Sequence, residues 1–252
     1  MMLPQLVLVG GTVILSSASI FNIYETYSLI KGYPQQLQSP TIPDVVLKRN
    51  KWKTTDEAVN GLSNMKKKEL VELYLQCEPP DLSSDISYYN DKKGYQYQYD
   101  GYLLDNGPIL TSVTGFITNR LFGKGKPWLG KAYMKPTSNE NFGVGKNRFA
   151  LNSSIKTPQR LDRTFDYSIG KSILPSPSST NKSLFNKYAS HCSSLSPMSL
   201  LWRGMVDELR VIQLSNRERV LLGLGYFAWS GGVYNLAPFC LVARKCNNDK
   251  VK

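Results

Sequence analysis

The sequence predicts a mainly β fold: an antiparallel, closed or nearly closed barrel, preceded by a membrane helix and a few short helices. Three observations lead to this prediction. Runs of strand-forming residues, separated by turn residues, fill the chain over residues 94–246. Glycine and tyrosine are frequent, at 19 and 15 residues. An antiparallel sheet that closes on itself leaves no exposed edge to pair with another chain.

Residues 1–30 are predicted to form a single-pass transmembrane anchor. No charged side chain occurs from Met1 to Tyr24. This stretch is long enough to supply the ~20 mostly apolar residues that a helix needs to cross a bilayer. Basic residues follow this segment, beginning at Lys31, and none precedes it. The positive-inside rule therefore places the remainder of the chain in the cytosol. The alternative is a signal peptide cut near Ala18, with a secretory location.

Residues 31–54 are predicted to be a linker, because prolines lie there among several glutamines. A helical segment and a loop follow over residues 55–93. Acidic residues suit the first turn of a helix that begins near Thr55, and Pro79-Pro80 ends the helical spacing of apolar residues.

The barrel region opens with Tyr95, Tyr97 and Tyr99, which alternate with polar residues as in a strand with one aromatic face. Apolar residues at helical spacing then predict an amphipathic helix that Gly123 ends. The Ser- and Asn-rich segment 175–196 is predicted to be a loop that only connects two strands. Further strands are predicted over residues 128–134, 147–152, 163–169, 205–212, 219–229 and 237–243.

One short motif carries a family resemblance. In Lys-Pro-Trp-Leu-Gly-Lys, Trp128 enters a strand and Gly130 follows two residues later. This motif and the strand pattern as far as Ala243 resemble calycin barrels, the lipocalins and fatty-acid-binding proteins, which open with Gly-x-Trp-x-Gly. Here Pro127 precedes the tryptophan, and Gly125 lies three residues ahead of it rather than two. The resemblance implies a barrel that holds one small apolar ligand, with the tryptophan closing the barrel floor.

Charged residues interrupt the predicted strand that begins at Met205. Alternation places Asp207 on one face of this strand and both Glu208 and Arg210 on the other. An aspartate that points into a barrel needs a polar partner, and the candidates are Arg203 and Arg163. Such a pair would anchor the head of a bound amphiphile. The alternative is a surface ladder of cross-strand ion pairs, most of which contribute little to stability.

These patterns predict a membrane-anchored binding protein for a hydrophobic small molecule such as a fatty acid, sterol or isoprenoid. Alternate glycines, Gly223 and Gly225, would leave room for a ligand or would permit tight barrel curvature. The predicted ligand-binding residues are Tyr97, Tyr99, Phe116, Trp128, Arg163, Arg203, Asp207, Glu208, Arg210, Tyr226 and Trp229.

The predicted partners are the ligand and an anionic membrane surface, which the net charge of +12 would attract. The basic residues are dispersed and no nucleic-acid motif is present, which argues against nucleic acid as a partner. The spacing of the cysteines matches no metal site, and no cofactor is predicted.

Two other functions compete with binding. A lipid-modifying enzyme would use Asp207 or Glu208 as acid or base and Arg203 or Arg210 to bind an anionic group. An accessory subunit of a membrane complex would use the helix and the basic face for docking only, and would lack a cavity.

Overall fold

A computed structural model of the chain describes residues 20, 23–32, 52–81, 97–134, 142–151, 159–176, 181–188, 202–227 and 232–244. Most of the predicted anchor lies outside these ranges. Within them, no helix is both long enough and apolar enough to cross a bilayer. Residues 23–32 are helical, and Leu29 and Ile30 pack against the protein body.

Eight antiparallel strands close into one barrel, in which neighbours in the chain are neighbours in the sheet and the last strand pairs with the first. This confirms the predicted mainly β fold with a closed antiparallel barrel and a few short helices. The strands are β1 (Tyr97–Leu103), β2 (Trp128–Tyr133), β3 (Phe142–Ala150), β4 (Gln159–Lys171), β5 (Lys182–Lys187), β6 (Met205–Gln213), β7 (Arg219–Phe227) and β8 (Leu236–Ala243).

Strand β5 corrects the prediction that residues 175–196 only form a loop. The polar composition of this segment concealed the strand, because two of its polar side chains, Ser183 and Asn186, are buried in the barrel wall. Leu184 packs in the lumen, and Tyr188 continues on the same face just beyond the strand.

Aromatic side chains fill the half of the lumen in which β1 begins. The ring of Tyr133 meets those of Tyr99, Phe165 and Tyr167 edge to face, with centroids 5.7, 5.4 and 5.2 Å apart. Gly145 faces this cluster, and a Cβ there would collide with the Phe165 ring. This half of the barrel is therefore a packed core.

Two helices, α1 (Thr55–Ser63) and α2 (Lys67–Leu75), cover the outer face of β6 to β8. The Thr54 side chain caps α1 by accepting a hydrogen bond from the Glu57 amide at 3.2 Å. Trp52 belongs to the predicted linker, yet it is buried in the same apolar cluster as these helices.

The connection from β1 to β2 is the predicted amphipathic helix, and it crosses the mouth of the barrel. It begins as helix α3 (Pro108–Gly115) and continues as a wider π-helical stretch (Phe116–Phe122), with Gly123 as its cap residue. The protein therefore has one filled barrel end and one end that is covered by a helix.

Candidate functional site

A cavity of about 400 Å³ lies beneath α3 at the helix-covered end of the barrel. Apolar side chains of the helix form its roof, among them Leu110, Val113 and Ile117. Gly225 and Ala237 are small wall residues that leave space where larger side chains would fill the lumen. Packed aromatic rings fill the opposite end of the barrel, so this cavity lies in the covered half.

The floor of the cavity is a buried ion pair. The Lys131 Nζ and the Asp207 Oδ2 are 2.8 Å apart, and both side chains are 2% exposed. Lys131 lines the cavity from β2, as does Trp128, because a register shift between Trp128 and Gly130 changes the alternation of the strand. Gly130 has a φ of 119° and allows β1 and β2 to approach closely. A Cβ at Gly130 would collide with the carbonyl oxygen of Tyr99. Asp207 reaches the lumen from β6, opposite Gly225 in register.

Two neutral side chains complete this floor network. The Lys131 ammonium also donates to Tyr188 Oη at 2.6 Å and to Asn147 Oδ1 at 3.1 Å. Tyr188 donates to Asp207 Oδ2 at 2.8 Å and accepts a bond from Asn147 Nδ2 at 3.1 Å. The Trp128 indole donates to Asn147 Oδ1 at 3.0 Å, so Trp128 belongs to the same network.

Aromatic rings surround the Lys131 ammonium. The Nζ is 4.7 Å from the centroid of the Phe165 ring and 5.8 Å from that of the Phe239 ring. Such rings attract a cation electrostatically. Burial lowers the pKa of Lys131, while the charge of Asp207 and the hydrogen bond to it oppose that shift. The ion pair with Asp207 therefore offsets part of the cost of burying the Lys131 amine in the lumen.

Tyr188 is kept as a hydrogen-bond donor. Burial, reinforced by the negative charge of Asp207, raises the pKa of Tyr188 well above its usual value. The phenol therefore remains protonated at neutral pH and orients the carboxylate. Together these groups can fix the polar end of a ligand whose apolar part occupies the space under α3.

Three of the predicted ligand-binding residues line this cavity: Trp128, Asp207 and Tyr226. Tyr99 lies in the lumen but in the filled half. Phe116, at the start of the π-helical stretch, is 56% exposed. Tyr97 belongs to β1, but its side chain lies outside the described residues, as does all of Trp229.

The two arginines predicted as partners of Asp207 occupy other positions. Arg203 is exposed at the turn before β6. Arg163 is the extra residue of a β-bulge in β4, with a φ of 56°, and its guanidinium carbon lies 5.5 Å from the Trp202 ring centroid. Asp207 pairs instead with Lys131, which the sequence prediction did not include.

Glu208 and Arg210 are buried on the opposite face of β6, under α2 rather than in the cavity. Arg210 donates to the carbonyl oxygens of Leu174 and Pro175 at 3.1 and 2.7 Å and to the Ser183 hydroxyl at 3.0 Å. The Ser172 hydroxyl donates to Glu208. These side chains form a second buried polar group, separate from the cavity.

Sequence reasoning missed Lys131, Asn147 and Tyr188. A lysine or asparagine in a strand is usually exposed, and Tyr188 follows a strand that was not predicted. One signal was present in the sequence. Lys131 shares a strand face with Tyr133, and Asn147 shares one with Phe149, so each polar residue lies on a face that also carries an aromatic residue.

Within the described ranges, no group of three or more His, Cys, Asp or Glu side chains is placed to hold a metal ion. No protein-family model, curated protein or solved structure matches this chain. The function is therefore inferred from the cavity itself.

Proposed function

We propose that this protein binds a hydrophobic small molecule inside its barrel, with the apolar part under α3 and a polar end at the floor network. The observation that supports this proposal is the cavity of about 400 Å³. That volume falls within the ~300–1,000 Å³ typical of small-molecule sites, which are mostly apolar and contain a few polar groups that fix orientation.

The barrel architecture supports the same proposal. An eight-stranded barrel has an interior that side chains can fill or that one small ligand can occupy, as in lipocalins. Here one half is filled and the other is hollow. Burying apolar ligand surface contributes roughly 25 cal/mol per Å², so an apolar ligand gains affinity from the roof without further polar contacts.

Membrane association is part of this proposal. The uncharged segment from Met1 to Tyr24 would supply an anchor, and the net charge of +12 would favour an anionic surface. A ligand that partitions into bilayers would then be within reach of the cavity. The competing enzyme hypothesis relies on Arg203 or Arg210 beside the carboxylate, and neither of these lines the cavity.

Native mass spectrometry tests the proposal, together with displacement of an uncharged fluorescent fatty alcohol from the full chain. Val113→Trp fills the cavity from its roof and should weaken probe binding at least about tenfold, equivalent to ~1.4 kcal/mol. Ser112→Trp places the same side chain on the exposed side of the same helix and should leave affinity unchanged. Equal effects of the two variants, or no binding by the unmodified chain, would contradict the proposal.

A further inference from the structure

The floor network has almost no spare hydrogen-bonding capacity. Lysine offers three N–H donors, and Asn147, Tyr188 and Asp207 accept all three of those of Lys131. The Tyr188 oxygen donates once and accepts twice. The amide of Asn147 accepts from Lys131 and Trp128 and donates to Tyr188 and to the Arg163 carbonyl.

One carboxylate oxygen is the exception. Asp207 Oδ2 accepts from both Lys131 and Tyr188, whereas Asp207 Oδ1 has no hydrogen-bond partner among the described residues. Asp207 lines the cavity, as does Gly225, which faces it across the β6–β7 pair. A Cβ at position 225 would stand 3.1 Å from Oδ1. Glycine thus leaves the space next to this oxygen open.

We infer that the cavity selects a neutral hydrophobic alcohol, whose hydroxyl donates a hydrogen bond to Asp207 Oδ1. This inference rests on the proposed function, because it names the chemical class of the ligand for the same cavity. The ligand is a long-chain, isoprenoid or sterol-type alcohol, and a fatty acid is excluded.

Charge accounts for the exclusion of other head groups. A carboxylate would meet the negative Oδ1, while the hydrogens of Lys131 are already engaged. An ammonium head would lie beside the Lys131 cation. Two cavity-lining side chains have a buried polar atom with no partner among the described residues, Asn106 Oδ1 and Trp202 Nε1. Asn106 Oδ1 only accepts, and Trp202 Nε1 is a single uncharged donor, so neither supplies the positive charge that would balance a carboxylate.

Calorimetry with three probes of similar size tests this inference on the full chain. Dodecanol donates and accepts, its isomer methoxyundecane only accepts, and dodecanoate carries a negative charge. A hydrogen bond to a charged group predicts that dodecanol binds between about tenfold and about a hundredfold more tightly than either comparator. Equal affinities for all three would overturn the inference and leave the proposed function intact. No binding of any probe would contradict both.

One variant and its matched control test whether the preference for dodecanol arises at Asp207 Oδ1. Gly225→Ala places a methyl group against Oδ1 and should reduce the advantage of dodecanol over methoxyundecane several-fold. Gly115→Ala is the matched control, because a Cβ there meets nothing within 4 Å and the residue does not line the cavity. An unchanged preference in Gly225→Ala would contradict recognition at Oδ1.

Asp207→Asn tests the same position by replacing the hydrogen-bond acceptor Oδ1 with a donor. The asparagine oxygen would keep the bonds from Lys131 and Tyr188, so its amide nitrogen would face the cavity as a donor. Dodecanol, methoxyundecane and dodecanoate can all accept a hydrogen bond from this nitrogen, so the advantage of dodecanol should disappear. A variant that still favours dodecanol as strongly as the unmodified chain would contradict the inference. If Asp207→Asn does not fold, the probe series and Gly225→Ala still decide the question.

Discussion

Asp207 and Glu208 are neighbours on β6, but they enter two buried polar groups on opposite faces of the barrel wall. The inner group, in the lumen, consists of side chains from β2, β3 and β6 and of Tyr188. The outer group, under α2, binds largely to main-chain carbonyls through Arg210. The outer group holds chain segments together, whereas the inner group also contains a carboxylate oxygen, Asp207 Oδ1, with no hydrogen-bond partner among the described residues.

The outer group joins separate segments of chain. Arg210 donates to carbonyl oxygens of Leu174 and Pro175 in the β4–β5 connection and lies over the Tyr74 ring, 4.7 Å from its centroid. It also reaches the Tyr74 carbonyl in the last turn of α2 at 3.4 Å. A cation at a helix C-terminus interacts favourably with the helix dipole and so stabilises the helix. Arg210 therefore fixes α2 and this connection against the sheet.

The largest effect is expected from separating the inner ion pair. Lys131→Met leaves the Asp207 carboxylate buried without its counter-charge and should lower the free energy of unfolding by about 3–5 kcal/mol. Urea denaturation measures this loss. Lys131→Met/Asp207→Leu removes both charges and should be more stable than either single variant. A double variant as unstable as the sum of the single losses would contradict the pairing.

Removing the outer cation should have a smaller effect. Arg210→Met leaves buried carbonyl oxygens of Leu174 and Pro175 without a donor, at about 1–3 kcal/mol for each unsatisfied group. We expect a total loss of about 2–4 kcal/mol by urea denaturation, with the affinity for dodecanol unchanged. Arg203→Met, at an exposed position just before the same strand, should cost less than about 1 kcal/mol. A large change in dodecanol affinity in Arg210→Met would contradict the separation of the two groups.

A second buried lysine on the outer face lacks the partners that Lys131 has. Lys67 begins α2, and its Nζ has no hydrogen-bond partner among the described residues. Burial lowers its pKa from 10.5 to about 7, against the opposing charges of Glu25 and Asp105. Lys67→Met should therefore stabilise the protein at neutral pH by about 1–3 kcal/mol.

The pH dependence identifies the cause of that gain. The folded pKa of Lys67 is below the unfolded value, so the unfolded chain binds more protons between about pH 7 and 10.5. The cost of burying this lysine is full below pH 7 and disappears as the pH rises to 10.5. The advantage of Lys67→Met in urea denaturation should shrink over the same range. A constant advantage would show that charge is not its cause.

The smallest effect is expected from the hydroxyl that orients the inner carboxylate. Tyr188→Phe removes a donor to Asp207 and an acceptor for Lys131 and Asn147, which should cost about 1–2 kcal/mol of stability. It should also weaken dodecanol binding several-fold, because Asp207 loses the bond that fixes its orientation. Tyr167→Phe, whose hydroxyl donates to the Met134 carbonyl in the filled half, is the control and should leave dodecanol affinity unchanged.

Alternation in the sequence was sufficient to predict the barrel and to place Asp207 opposite Glu208 and Arg210. Apolar residues at helical spacing and a terminal glycine are local signals, and they predicted the helix between β1 and β2 but not its position over the barrel mouth. The sequence did not predict the partner of Asp207, since Lys131 is 76 residues away in sequence and the two meet only when the barrel closes. The sequence also did not decide whether Gly223 and Gly225 in β7 leave room for a ligand or permit tight barrel curvature.

The structure separates those two glycines. A Cβ at Gly223 would collide with the Phe239 ring, so this glycine accommodates a neighbouring side chain. Gly225 lines the cavity beside Asp207. Strand β5 was missed for a related reason: its asparagine and serine are polar but face buried partners. The sequence pattern does not identify buried polar residues, because their burial depends on strands that are distant in sequence.

Nuclear Overhauser contacts from bound, isotope-labelled dodecanol would test the central claim most directly. The claim predicts that the oxygen-bearing methylene contacts Gly225 and the Phe239 ring, while the terminal methyl contacts Val113 and Ile117 under α3. A methylene that instead contacts Val113 and Ile117, with the methyl group at Gly225, would show that Asp207 does not hold the hydroxyl and would contradict the account.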